Sequence, residues 1–323
     1  MEPGTILLLV RASVVTQLLG TDYPIVQAGM ARGFTSAALV AAVSDAGGLG
    51  VLGCLNRSAE ETASEIRRIR SATNRPFGVN FVVEHLDQAT FDACLAERVP
   101  IFTFFRGDPH RVVERAHAID AVVLYQVTTI AEAEVALEAG ADVLVAQGRE
   151  AGGHVGPVPL RTLLPAVVAV AAGRPVLAAG GIVDGETMTA ALSHGAAGAW
   201  MGTRFIATVE SPASASHKQA IVAAGSGATV RTPVWDRIWG RAWPGVEVRV
   251  LRNAVTDRWI ARAAEIEAHR EAIAQDLAAA QLRDDPNEMD LLAGEGAGRI
   301  SSVLSAREVV AGLGREAHRA LAG

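Results

Sequence analysis

Lysine is all but missing from this chain of 323 residues: Lys218 is the only one. Schiff-base chemistry would have to rest on that single amine, in the polar stretch ASASHKQA, and is set aside. Cysteine is nearly as rare. Cys54 and Cys94 are too few for a disulfide scaffold, and they lack the spacing of a zinc site. A reducing, cytoplasmic setting suits that usage. No histidine pair stands with a carboxylate at metal-ligand spacing, so no metal is expected. A basic stripe is missing too. The net charge is −6 at pH 7, which argues against a nucleic-acid partner. Long apolar runs are also absent. The run from Ile6 to Val10 ends at Arg11, and Glu2 stands where a signal peptide carries positive charge. Neither a membrane span nor a leader is expected from it. Residues 1 to about 16 read as an extension of uncertain structure.

What the chain does have is apolar bulk and glycine. Hydrophobic residues make up 50% and charged residues 20%, enough for a large core and too apolar for disorder. Glycine numbers 32 and proline 13, which suits many short connections. From Tyr23 to Phe205, short β-rich runs alternate with longer Ala-rich stretches of helical spacing. The runs are PIVQA (24–28), LGVLG (49–53), FGVNFVV (77–83), VPIFTFF (99–105), AVVLYQV (121–127), DVLVAQG (142–148), PVLAAGG (175–181) and GAWMG (198–202). They are apolar throughout, as parallel strands covered on both faces must be. Many of the stretches between them open on Ser, Thr, Asp or Pro and close on Gly or Asn, the asymmetry of helix caps. Eight such units predict an α/β fold, a (β/α)8 TIM barrel. A doubly wound sheet is the alternative, weakened because no GxGxxG opens the first unit.

After Phe205 the rhythm changes. A stretch rich in Ser, Pro and Gly carries Trp235, Trp239 and Trp243, and a long helical pattern covers 256–282. The tryptophans read first as the core of a small cap domain and second as a pocket wall. The string SAREVVAGLGREAHRALAG (305–323) reads as a final helix.

Barrel enzymes work at the C-terminal ends of their strands. There the sequence places Gln27 to Met30, Asn80, the string QGREAGGHVG (147–156), Gly180-Gly181 and Gly202-Thr203. Glycine turns after the seventh and eighth strands let backbone N–H groups approach a phosphate. The blander reading is a pair of turns that need positive φ. Finding both turns at the phosphate-binding strands favours the anion. QGREAGGHVG holds four glycines in ten residues, more than packing alone asks for, around His154. His154 reads either as a base at the barrel mouth or as a structural loop histidine. The other histidines read as solvated surface, and Cys54 as a packing residue.

The strings YPIVQAGM, AGGLGVLG, RPFGVNF, AQGREAGGHVG, RPVLAAGGI and MGTRF, in this order, resemble the nitronate monooxygenase family, formerly 2-nitropropane dioxygenase. The FMN-dependent enoyl-acyl-carrier-protein reductases share most of them. The resemblance resumes at LRNAVTDRW (251–259) and LLAGEGAGRI (291–300). It implies a TIM barrel of residues 1–206 and 290–323 holding FMN, with a helical cap of residues 207–289 inserted after the eighth strand. By position, Gly29 and Met30 would pack beside the flavin ring, and Asn80 and Gln147 would hydrogen-bond it. Gly152 would approach it by backbone. Gly180, Gly181, Met201, Gly202 and Thr203 would hold the phosphate. His154 matches the family's active-site histidine, set in an apolar pocket beside the flavin.

The implied reaction is oxidation of alkyl nitronates, and of some nitroalkanes, with O2. The expected partners are a small-molecule substrate and O2, with no nucleic acid and no membrane. A homodimer is the assembly considered, with oligomeric state left open. Trp200, Phe105, Arg106 and Gln126 depart from the family's usual residues around the substrate space. Two other functions compete: an NAD(P)H-dependent FMN reductase of an enoyl thioester, and a non-catalytic barrel that binds a phosphorylated ligand.

Overall fold

The computed structural model describes residues 14–31 and 33–322. All eight apolar runs become strands. They are β1 (Ile25–Gln27), β2 (Gly50–Gly53), β3 (Phe77–Val82), β4 (Ile101–Phe105), β5 (Val122–Val127) and β6 (Val143–Gln147), then, after a short separate strand β7 (Gly153–Val155), β8 (Val176–Ala179) and β9 (Gly198–Met201). The eight pair in parallel in the order β1-β9-β8-β6-β5-β4-β3-β2. A bridge between Val26 and Leu49 joins the two ends, so the sheet closes. The molecule is a (β/α)8 TIM barrel.

The seam between β1 and β2 is reinforced by a side chain. Gln27 is fully buried, and its amide completes the ladder where backbone pairing is thin. Its Oε1 accepts from Val51 N–H at 3.2 Å and its Nε2 donates to Val51 C=O at 3.1 Å. An apolar residue there would leave both buried groups of Val51 unpaired.

Strand residues alternate between two apolar layers. In β9, Trp200 points into the barrel interior with Val26, Leu124, Val145 and Leu177. Its neighbours Ala199 and Met201 join the layer between sheet and helices. Val15 and Leu19, buried in a helical turn over 14–19, belong to the interior layer. The expected N-terminal extension therefore ends earlier than residue 16. Residues 1–13 lie outside the described residues.

Seven helices follow the strands: α1 (Ala37–Asp45), α2 (Ala59–Ala72), α3 (Gln88–Ala96), α4 (His110–His117), α5 (Ile130–Glu138), α6 (Leu160–Val170) and α7 (Gly185–Ser193). Ser36, Ser58, Asp87, Thr129 and Asp184 accept from the first-turn N–H groups of their helices, as the sequence signals. After β9 come α8 (Thr203–Ile206), α9 (Ala215–Val222), β10 (Thr229–Thr232), α10 (Val234–Ile238), β11 (Glu247–Leu251), α11 (Ala254–Trp259) and α12 (Ile266–Leu282). The last helix, α13 (Ala306–Ala322), returns to pack against α7 and α1.

The cap differs from expectation in two respects. The helical pattern over 256–282 is broken: a 3-10 segment, Ile260–Glu265, separates α11 from α12, with Arg262 outside helical φ/ψ. Besides its helices the cap also holds a hairpin. β10 and β11 pair antiparallel, and β11 pairs in turn with β7, so that Val248 stands opposite His154. The segment read as a free loop around His154 is thus the edge strand of a small sheet whose other strands are the cap's.

Candidate functional site

A cleft of about 1440 Å3 of atom-free space, its open mouth included, lies at the C-terminal ends of the barrel strands. Every residue assigned a role from the sequence lines it: Gly29, Met30, Asn80, Gln147, Gly152, His154, Gly180, Gly181, Met201, Gly202 and Thr203. The barrel supplies the floor, through Trp200 among others. The cap supplies the roof, through Trp235, Trp239 and Trp243. The tryptophans therefore serve both readings. Trp235 and Trp259 are in the cap core, while Trp243 stands over the site.

His154 is held from two sides. Its Nε2 lies 2.9 and 3.1 Å from the two carboxylate oxygens of Asp236, on α10. Its ring stacks on the Trp243 indole, with centroids 3.8 Å apart and planes 16° apart. The two side chains of the pair are only 18% and 13% exposed. The surround is therefore not the apolar pocket expected, because a carboxylate faces the imidazole. A carboxylate can only accept, so in the neutral tautomer that this contact favours Nε2 carries the hydrogen and Nδ1 the lone pair. Nδ1 has no protein partner among the described residues. Asp236 was missed from sequence. It stands 82 residues from His154, and only the flanking tryptophans in VWDRIW mark the spot.

Polar groups on the floor fit a planar, hydrogen-bonding heterocycle. Gln147 is buried at the end of β6, and its Oε1 has no hydrogen-bond partner among the described residues. Such an orphan costs free energy unless a ligand donor meets it. Asn80 Oδ1 accepts from the Thr103 hydroxyl at 2.7 Å, which fixes the amide and directs its N–H groups elsewhere.

The turns after β8 and β9 fit an anion. Gly180 and Gly181 have φ of +115° and +72°, so the blander reason for glycine is real at these two positions. It fails at Gly202, where φ is −101°. There an added Cβ would meet only Met30 Sδ at 3.5 Å and Ala28 Cβ at 3.9 Å, so neither backbone nor close packing demands glycine. The N–H groups of Gly180, Gly181 and Gly202 find no backbone acceptor among the described residues. Thr203 Oγ1 accepts from Gly294 N–H at 2.9 Å, leaving its own hydrogen to donate. Met201 is the weakest of the five. Its side chain is buried in the sheet–helix layer, so only its backbone can serve.

Other expectations need correction. Three of the four glycines around His154 do serve packing. A Cβ would come within 2.4 Å of Leu160 Cβ at Gly148, 2.7 Å of the Ala293 backbone at Gly152, and 2.6 Å of Thr128 Cβ at Gly156. Gly29 is glycine because Asn80 Cβ would stand 2.3 Å from its Cβ. His217 is not solvated surface: it is buried, with Nε2 3.1 Å from Leu292 C=O. Arg106 pairs with Glu84 at 2.9 Å and donates to Pro244 C=O at 2.9 Å, tying β4 to the cap. Cys54 is buried, as the packing reading expects. Among the described residues no cluster of metal ligands and no membrane-spanning helix is found.

Residues 12–94 and 85–316 match the family model described as nitronate monooxygenase. A (3aS,4S,5R,7aS)-5-hydroxy-7a-methyl-1-oxo-octahydro-1H-indene-4-carboxyl-CoA dehydrogenase of Mycobacterium tuberculosis is 36% identical over 76% of this chain and 67% of its own length. The same dehydrogenase of Rhodococcus jostii is 37% identical over 66% of this chain and 60% of its own length. The chain thus spans about two thirds or less of these relatives. A probable nitronate monooxygenase of Staphylococcus haemolyticus is 33% identical over 69% of this chain and 75% of its own length. Two solved structures superpose over nearly the whole chain. FabK from Thermotoga maritima has a TM-score of 0.83 at 31% identity, covering 96% of this chain and 97% of that one. Nitroalkane oxidase from Streptomyces ansochromogenes has a TM-score of 0.82 at 31% identity, covering 95% and 98%. The chain belongs to the nitronate monooxygenase family of flavin-dependent oxidoreductases.

Proposed function

We propose that the protein is an FMN-dependent oxidoreductase that oxidises alkyl nitronates with O2, and nitroalkanes after His154 removes their Cα proton. The observation that carries this reading is the histidine held by Asp236 and Trp243 over a cleft whose floor leaves Gln147 Oε1 unpaired. The barrel of residues 1–206 and 290–323 and the cap of residues 207–289 belong to the same reading.

In it, Gln147 accepts from the flavin ring system and Asn80 donates to it. Gly29, Met30 and the Gly152 backbone bound the ring. Gly180, Gly181, Gly202 and Thr203 donate to the phosphate, with Met201 contributing backbone only. FMN, when bound, accepts electrons from the substrate and passes them to O2. The chain's own part is proton handling and orientation. The proton leaves the Cα of a neutral nitroalkane for Nδ1 of His154. The Asp236 carboxylate, on the opposite nitrogen, stabilises the imidazolium that forms. Trp243 stacks on one face of the imidazole and limits its rotation.

The test is an anaerobic titration of the flavin band with propyl-2-nitronate and, separately, with NADPH. Bleaching by nitronate alone, reversed on admitting air, is expected. Bleaching by NADPH alone would move the protein to the reductase reading.

Asp236→Asn keeps the shape and an acceptor but removes the charge. A hydrogen bond to a charged group contributes about 1.5–3 kcal/mol, so kcat/KM for nitroethane should fall roughly 10- to 150-fold. Oxidation of preformed ethylnitronate should hardly change, because no proton is removed. Parallel losses on both substrates would mean that Asp236 only supports the fold.

A second reading is favoured by the carboxyl-CoA dehydrogenase relatives. Under it the substrate is a thioester, and His154 handles a proton next to its carbonyl.

A further inference from the structure

A second cavity opens beside the main cleft, between the ends of β2 and β3 and the cap segment 240–243. Leu55, Asn56, Val82, Arg241 and Trp243 wall both spaces, so the two adjoin at the Trp243 indole. That indole stacks on His154 on the cleft side, and it meets the His85 ring edge-on at 4.7 Å on the side of the second cavity.

The charges in this cavity are unbalanced. Arg241 is exposed, and its guanidinium meets no partner among the described residues. Arg57 is fixed by two neutral acceptors: Nε donates to Gly53 C=O at 3.1 Å and Nη2 to Thr35 C=O at 2.7 Å. It makes no ion pair among the described residues. The one lining carboxylate, Asp87, is already engaged in capping α3. It accepts from Thr90 N–H at 2.8 Å and from the Thr90 hydroxyl at 2.6 Å, and these bonds hold its carboxyl below the ordinary range. Arg106 nearby shows the contrast, since Glu84 neutralises it. Arg57 acts on one carboxylate only at longer range, the exposed Glu61, and Arg241 pairs with none among the described residues; in a chain of net charge −6 these two guanidinium groups around one cavity suit an anionic ligand.

We infer that this cavity seats the phosphate-bearing end of a phosphopantetheine arm, whose thioester carbon chain reaches His154 past Trp243. The inference rests on the thioester reading above. A small nitronate would fill only the main cleft. The lining follows the arm's chemistry, with an indole along the uncharged stretch and guanidinium groups where the phosphate lies.

The test uses the flavin-loaded protein and needs no turnover. Free coenzyme A, 4′-phosphopantetheine and pantetheine are titrated by calorimetry and by tryptophan emission. Coenzyme A should bind saturably, and pantetheine at least about tenfold more weakly. Arg241→Glu should weaken coenzyme A at least about tenfold, with a retained flavin band showing that the variant is folded. If 4′-phosphopantetheine matches coenzyme A, the arm alone is read and a carrier protein could present it. If coenzyme A is clearly tighter, the nucleotide is read as well. Equal binding of coenzyme A and pantetheine, unchanged coenzyme A affinity in Arg241→Glu, or no saturable coenzyme A binding would each overturn the inference. Nitronate oxidation on the same preparation reports separately on His154.

Discussion

His154→Ala should lose about 10²- to 10⁴-fold in kcat/KM for nitroethane, the range a positioned general base contributes. The same variant should oxidise ethylnitronate with a loss of roughly tenfold, the low end of what one hydrogen bond to a charged group contributes. The asymmetry follows from the chemistry. The neutral nitroalkane must surrender a Cα proton before electrons can leave, and Nδ1 of His154, opposite the nitrogen that faces Asp236, is the acceptor proposed for it. The nitronate has already lost that proton. Oxygen uptake with the two substrates, measured side by side, reads both numbers. Equal losses on both would assign His154 to binding alone, and no loss on either would remove it from the reaction.

Gly202→Asp should give a folded protein without flavin. The backbone at Gly202 has φ −101°, which any residue adopts, and an added Cβ would sit in ordinary contact with Met30 and Ala28. Folding should therefore survive. The carboxylate would stand at the cleft lined by Gly180, Gly181 and Gly202, whose N–H groups have no backbone acceptor among the described residues, and there it would compete for those donors and repel a phosphate. Loss of flavin affinity by more than about 10²-fold is expected, equivalent to roughly 2.7 kcal/mol. The visible band after purification, with circular dichroism as the check on folding, decides it. A yellow variant with normal affinity would place the phosphate elsewhere.

Most of the barrel could be read in advance because its strands are buried on both faces, and each apolar run carries its own punctuation. That Gly180, Gly181, Gly202 and Gln147 line one cleft was legible for a similar reason: strand ends in this fold point to one place. Asp236 was not legible. Nothing local marks it as a partner of His154; only the closed chain brings α10 over the end of β6. The β10–β11 hairpin was hidden by composition, since TVRT and EVRVL are short and mixed among helical strings. The packing demand for glycine at Gly148, Gly152 and Gly156 was not legible, because the neighbours that exclude a Cβ come from distant segments.

The pairing of β7 with β11 bears on how this enzyme can diversify. Barrel enzymes are commonly pictured as a fixed catalytic base plate with exchangeable covers. Here the strand carrying His154 is bonded to the cover's own hairpin, and the cover also supplies Asp236 and Trp243. A cap transplanted from a relative would bring its own register for His154, its own carboxylate facing the imidazole and its own stacking partner. With His154 in its proposed role, substrate range and proton chemistry would be inherited as one cassette, and a chimera that changes the first would reset the second.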